Sequence, residues 1–209
     1  SMGFGHVPGL VQALEEARVR RALFVSTTAI FTSLPAASKA VRLAAEAAVE
    51  QSSLDWTILR PTMIYGTERD RNISRLLRFL HRSPVFPLCG NALWQPVHVA
   101  DLAEAVVAAV DSPRTSRRAF NVGGAAPLRF ADLVRTAARA IGRRVWLVPV
   151  PLSLALVGAR LTRAVREEQL RRLVEDKTVD NTPAVAAFGF APRTFEAGVT
   201  AEACLLGLR

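Results

Sequence analysis

Two apolar runs, ALFVSTT (residues 22–28) and WTILR (residues 56–60), decide the fold of this chain. Each is a continuous hydrophobic stretch rather than an alternating one, as a strand buried on both faces should read. The first ends in small hydroxyl residues, and the second stops at Pro61. Between them lies an Ala-rich stretch, residues 38–51, whose spacing predicts a helix. It would carry Val41, Ala45 and Ala48 on one face, with Glu46 and Glu50 outward. A strand, a long helix and a second strand form a βαβ unit with parallel strands.

The pattern continues on both sides. Leu10, Val11 and Leu14 have helical spacing, and Pro8 suits a first turn. Residues 72–81 read as an Arg-rich amphipathic helix, and residues 85–91 as a loop punctuated by Pro87 and Gly90. Residues 96–99 read as extended, and Asp101 as the cap of a helix over 102–110. AFNVGG (119–124) is a further buried strand, and residues 130–141 form a helix ended by Gly142. Residues 145–150 are a short strand before a mostly helical remainder. The predicted class is α/β: a partial Rossmann-type, doubly wound parallel sheet with a small, mostly helical C-terminal lobe. The division expected is 1–66 for the sheet domain and 67–209 for the lobe, with a strand near 119–124 returning to the sheet.

Composition excludes several classes. The 209 residues are 50% hydrophobic and 22% charged, which rules out a disordered chain. Two cysteines make neither a disulfide framework nor a Cys-rich metal site, no metal is called for, and a reducing, cytoplasmic setting is expected. The longest apolar stretch, VWLVPVPLSLALVGA (145–159), holds Pro149 and Pro151 and is too short to span a bilayer. The net charge is +9, and all but two of the 27 cations are Arg. They are scattered in ones and twos without interleaved aromatics, so a nucleic-acid partner is not expected.

In an open α/β sheet, ligands bind beyond the carboxyl ends of the strands. That rule selects Ser26-Thr27-Thr28, PTMIYG (61–66) and Gly123-Gly124. Lys39, at the start of the helix after the first strand, is one of only two lysines in an Arg-dominated chain. A retained lysine suggests that a point charge or a tunable amine is needed there.

The order FVSTTAIF (24–31), Lys39, LDWTILRPTMIYG (54–66), QPVHVADLAEAV (95–106) and FNVGG (120–124) resembles extended and atypical short-chain dehydrogenases/reductases. It looks most like the NAD-dependent epimerase/dehydratase group, including its complex I subunit-like branch. The stretch EDKTVDNTPAVAAFGFAPRTFEAGV (175–199) resembles the tail of that group. The resemblance implies NAD or NADP as cofactor and a small-molecule substrate. It implies that Thr28 is the active-site hydroxyl and that Lys39 holds the nicotinamide ribose and acidifies a catalytic Tyr. Ser26, Thr27, Pro61, Thr62 and Met63 fall on the cofactor side. Arg69, Arg71, Gln95 and His98 fall on the substrate side.

Three departures stand out. The group's YxxxK pattern puts a Tyr four residues before the Lys, and here that position is Pro35. The only tyrosine, Tyr65, falls in the IYG turn, where the group uses it structurally. Nucleotide-sugar enzymes of the group often place Asn three residues after the strand-end Arg, where this chain has Met63. Finally, no strand precedes Gly3-Phe4-Gly5 and Gly9, so these are not a dinucleotide-binding turn. The expectation is therefore a chain without roughly the first 80 residues of such a protein, binding dinucleotide weakly by itself. A catalytically silent scaffold is one alternative, and a basic nucleic-acid-binding protein is a disfavoured second. Self-association is expected through an unpaired edge of the strand at 22–28.

Overall fold

The computed structural model describes residues 3–34, 37–154 and 174–209. Pro35 and residues 155–173, part of the remainder expected to be mostly helical, lie outside the described residues. The chain forms two compact units that interleave in sequence. The first comprises Ser1–Thr62, Asp101–Gly123 and Val179–Ala191, and the second Met63–Ala100, Gly124–Thr178 and Pro192–Arg209.

Unit 1 is built on a parallel three-stranded sheet in the order β1 (Arg21–Val25), β2 (Asp55–Pro61), β7 (Arg118–Val122). The register sets Val25 beside Leu59 and Pro61 beside Val122, so the carboxyl ends of all three strands lie together. Helices α1 (Val7–Glu16) and α2 (Ala37–Gln51) cover one face, where Val11 and Val49 pack with Leu54, Trp56 and Ile58. The side chain of Thr57, between Trp56 and Ile58, points the other way and donates to the Thr115 carbonyl, 2.9 Å. Helix α6 (Thr182–Phe188) packs on β7, with Phe188 edge-on to Phe120. Helices on both faces of a parallel sheet confirm the α/β, Rossmann-type class.

Unit 2 packs α3 (Ile73–Arg82), α5 (Phe130–Ala140) and α7 (Phe195–Leu205) around a core that includes Leu77, Leu133, Val134 and Val199, all fully buried. Short strand pairs surround this core: β3 (Ile64–Tyr65) with β6 (Val97–His98), β4 (Val85–Leu88) with β9 (Trp146–Pro149), and β5 (Leu93–Trp94) with β8 (Leu128–Arg129). Helix α4 (Val99–Asp111) starts in unit 2 and continues into unit 1.

Four local expectations are corrected. Glu46 does not face outward. It is 6% exposed and meets the Arg60 guanidinium, with Arg60 Nε 3.0 Å and Nη2 2.6 Å from Oε2, while Val41 on the expected inner face is exposed. A buried ion pair with β2 outweighs the local amphipathic pattern. Residues 85–88 are strand rather than loop, because β9 supplies a partner 61 residues on in register, Val85↔Trp146. β1 ends at Val25, where Ser26–Thr28 turn into a short 3-10 segment. Helix α4 begins at Val99, so Asp101 lies in its first turn rather than capping it. The cap is His98, whose Nδ1 accepts from the Ala100 N–H, 3.2 Å.

Candidate functional site

The parallel register of β1 and β2 places the candidate hydroxyls and Pro61 together at one end of the unit 1 sheet. The Thr28 hydroxyl donates to the Pro61 carbonyl, 3.3 Å, tying the two strand ends. Thr27 Oγ1 accepts from the Ala29 N–H, 3.2 Å, and so caps the turn that carries Thr28. Ser26 is buried, its N–H donates to Leu59, 2.7 Å, and its hydroxyl has no hydrogen-bond partner among the described residues. Thr62 continues the strand end, its N–H donating to Val122, 3.1 Å. Lys39 enters from the first turn of α2 and donates to the Thr32 carbonyl, 2.7 Å. Ser26, Thr27, Thr28, Lys39, Pro61 and Thr62 thus all belong to unit 1.

Met63, Arg69, Arg71, Gln95 and His98 belong to unit 2. Met63 packs against that unit's core, and its carbonyl accepts from Val97, 3.0 Å. Gln95 is buried and donates through Nε2 to the Gly124 carbonyl, 2.8 Å, while Gly124 N–H returns a bond to Gln95, 3.1 Å. A Cβ at Gly124 would overlap the Pro96 carbonyl, so this glycine is required by the close approach of two backbones. His98 is buried, its ring edge-on to Tyr65 at 5.3 Å. Arg69 and Arg71 are exposed in the loop before α3. Between them Asp70 accepts from the N–H groups of Asn72, Ile73 and Ser74, 2.8, 2.7 and 2.9 Å, which caps α3.

The single tyrosine is 2% exposed, between His98 and Phe195 in the unit 2 core. A Cβ at Gly198 of α7 would collide with its hydroxyl. Tyr65 is therefore a packing residue, as its place in the IYG turn implied.

Three features went unread in the sequence. Asn181 clasps Gly123 from both sides, accepting from its N–H at 2.8 Å and donating to its carbonyl at 3.3 Å. The signal available was DNTP, in which Asp180 also caps α6 and its carboxyl is held below the usual range by hydrogen bonds from Thr182. Lys177, the second lysine, lies over the Trp94 ring at 3.9 Å. Glu202 of α7 is 1% exposed, and its carboxyl pKa is pushed up to about 8. Burial is the main cause and the neighbouring Asp70 carboxylate adds to it, against a Gly66 N–H that favours the ion. Among the described residues no group of three His, Cys, Asp or Glu side chains could hold a metal ion, and no helix is long and apolar enough to cross a membrane. Cys89 and Cys204 are both free thiols.

Residues 35–123 match the model of the NAD dependent epimerase/dehydratase family. The Ser26–Thr28 turn lies just outside that stretch. Over 110 residues the chain is 28% identical to UDP-glucose 4-epimerase of Vibrio cholerae, covering 51% of this chain and 33% of that protein. Over 115 residues it is 33% identical to the mitochondrial NADH dehydrogenase [ubiquinone] 1 alpha subcomplex subunit 9 of Arabidopsis thaliana, covering 54% of this chain and 28% of that one. The chain thus aligns with about a third of the length of these curated relatives. In fold it is similar to UDP-glucuronic acid 4-epimerase from Bacillus cereus, solved in complex with NAD: TM-score 0.74 at 15% identity, over 96% of this chain and 66% of that one. The resemblance carried by the motifs is thus a match to the NAD-dependent epimerase/dehydratase family, borne by residues 35–123.

Proposed function

We propose that this protein is a nicotinamide-dinucleotide-binding member of the epimerase/dehydratase family in which the tyrosine acid/base is missing. The observation that carries this reading is the position of Tyr65. It is the only phenol in the chain, and it is locked in the unit 2 core. Lys39 has Pro35, not tyrosine, four residues before it.

The described residues fit the nicotinamide–ribose end of a dinucleotide. Lys39 Nζ now bonds a carbonyl that ribose hydroxyls could replace, and the buried Ser26 hydroxyl is unpaired among the described residues. Pro61, Thr62 and Met63 would lie against the nicotinamide, and Thr28 would orient a substrate hydroxyl or carbonyl. A bound dinucleotide supplies hydride transfer. The chain's own residues would supply binding and orientation, but among the described residues no tyrosine stands at the unit 1 strand ends. General acid–base help of about 10²–10⁴-fold is then absent. Turnover of nucleotide sugars or simple alcohols should be slow or nil. Arg69, Arg71, Gln95 and His98 would fall on the substrate side.

A second reading, a scaffold subunit without turnover, is favoured by the likeness to the mitochondrial NADH dehydrogenase subunit. The test is a dinucleotide titration beside a hydride-transfer assay on the native polypeptide and its Lys39→Ala variant. The proposal expects Lys39→Ala to weaken affinity more than it changes any residual rate. Fast turnover that Lys39→Ala abolishes with affinity intact would make Lys39 catalytic and overturn it. A native polypeptide with no affinity for either dinucleotide would leave the scaffold reading.

A further inference from the structure

The β4–β9 ribbon of unit 2 has two apolar faces. Phe86, Leu88 and Leu147 point inward and pack on the core. The alternate residues point outward. In register, Val85 lies beside Trp146 and Pro87 beside Val148, and all four are exposed. Trp146 is 74% exposed, the most of any large hydrophobic described. A strand pair with one solvated face normally carries polar residues there.

Arginines border this face. Arg135, Arg139, Arg143 and Arg144 line a recess of about 340 Å³ together with Trp146. A second recess, of about 230 Å³, joins Arg143 and Arg144 to His81 and Arg82. Among the described residues no Asp or Glu lines either one.

We propose that the outward face of β4–β9 and its arginine rim form a docking surface for an anionic phospholipid membrane. Trp146 and Val148 would enter the headgroup–acyl boundary, and Arg143 and Arg144 would meet lipid phosphates. The chemistry matches on both counts. An exposed indole beside aliphatic residues is suited to the bilayer interface. The rim supplies the positive charge that an acidic leaflet attracts, at about fivefold in affinity per arginine.

Size argues against a protein partner. Four side chains on a two-stranded ribbon expose on the order of a few hundred Å². A stable protein complex needs about 800 Å² on each side. The Val and Pro neighbours of Trp146 also offer neither stacking rings nor donors to successive bases, which argues against nucleic acid. The surface is independent of the dinucleotide reading, since no residue named here belongs to that site.

The test uses the full chain and its own fluorescence. Trp56 and Trp94 are each 8% exposed, so an emission shift on binding reports Trp146. Vesicles of phosphatidylcholine with phosphatidylserine should shift the emission to the blue and co-sediment the protein. Pure phosphatidylcholine should do neither, and raising salt from about 0.1 M to about 1 M should weaken binding. The double variant Arg143→Ala, Arg144→Ala should lose about 25-fold in partitioning. The charge-matched pair Arg114→Ala, Arg118→Ala, in unit 1, should lose at most a few-fold. Trp146→Phe should abolish the blue shift. Equal partitioning to neutral vesicles, equal losses in the two arginine pairs, or tighter binding to a short RNA duplex than to acidic vesicles would overturn the proposal.

Discussion

Glu202→Gln should make the protein more stable at alkaline pH while leaving it nearly unchanged in mild acid. The carboxyl is 1% exposed on α7, and its pKa rises from 4.5 to about 8 on folding. The folded state therefore holds a proton that the unfolded chain releases near pH 4.5. The sign follows from linkage. Between pH 4.5 and 8 the native state binds more protons, so stability falls as pH rises through that window. At about 1.4 kcal/mol per unit, a rise of that size bounds the loss at about 5 kcal/mol. Relaxation around the carboxyl should reduce it to about 2–3 kcal/mol. Glutamine has the same shape and cannot ionise. Urea unfolding of both proteins at pH 5 and pH 8.5 is the assay. The two free energies should agree to within about 0.5 kcal/mol at pH 5, with the variant ahead by about 2 kcal/mol or more at pH 8.5. Parallel pH profiles for the two proteins would refute the buried, protonated carboxyl. Glu15 and Asp180, whose pKa values are lowered by hydrogen bonds, contribute equally to both profiles and cancel.

Glu46→Ala should cost about 2–4 kcal/mol, because it strips a nearly buried Arg60 of its main partner and leaves Glu50 at 3.7 Å and the Phe31 ring at 5.7 Å. Thermal melts should read this as a fall of about 2–4 °C per kcal/mol. Adding Arg60→Leu to Glu46→Leu should cost less than the sum of the single changes, and strict additivity would sink the ion-pair account. Gly198→Ala should destabilise by about 1–3 kcal/mol by driving a methyl into the Tyr65 hydroxyl, with Tyr65→Phe relieving part of the loss in a double-mutant cycle. The 209-residue chain should self-associate at tens of micromolar (about 10–50 µM), because β1 lies at an edge of the three-stranded sheet and Val25 is 46% exposed. A monodisperse, thermally stable monomer in sedimentation would count against that.

Sequence alone determined the layer architecture. ALFVSTT and WTILR are apolar throughout, and only a strand covered on both faces buries such a run. It also carried the family resemblance, because order and spacing along the chain survive without coordinates, and it showed that no tyrosine stands four residues before Lys39. Tertiary structure decided what depends on partners distant in the chain. Glu46 looked outward by helical period, yet Arg60 on β2 draws it in. Residues 85–88 looked like a loop, because the strand that pairs with them lies near residue 147. Gln95 and His98 carried motif signal, and only the structure shows that Gln95 reaches the Gly124 carbonyl and that His98 meets the first turn of α4. Glu202 gave no local signal at all. A carboxyl's pKa is set by what surrounds it in space, and no spacing rule along α7 places Asp70 and Gly66 beside it.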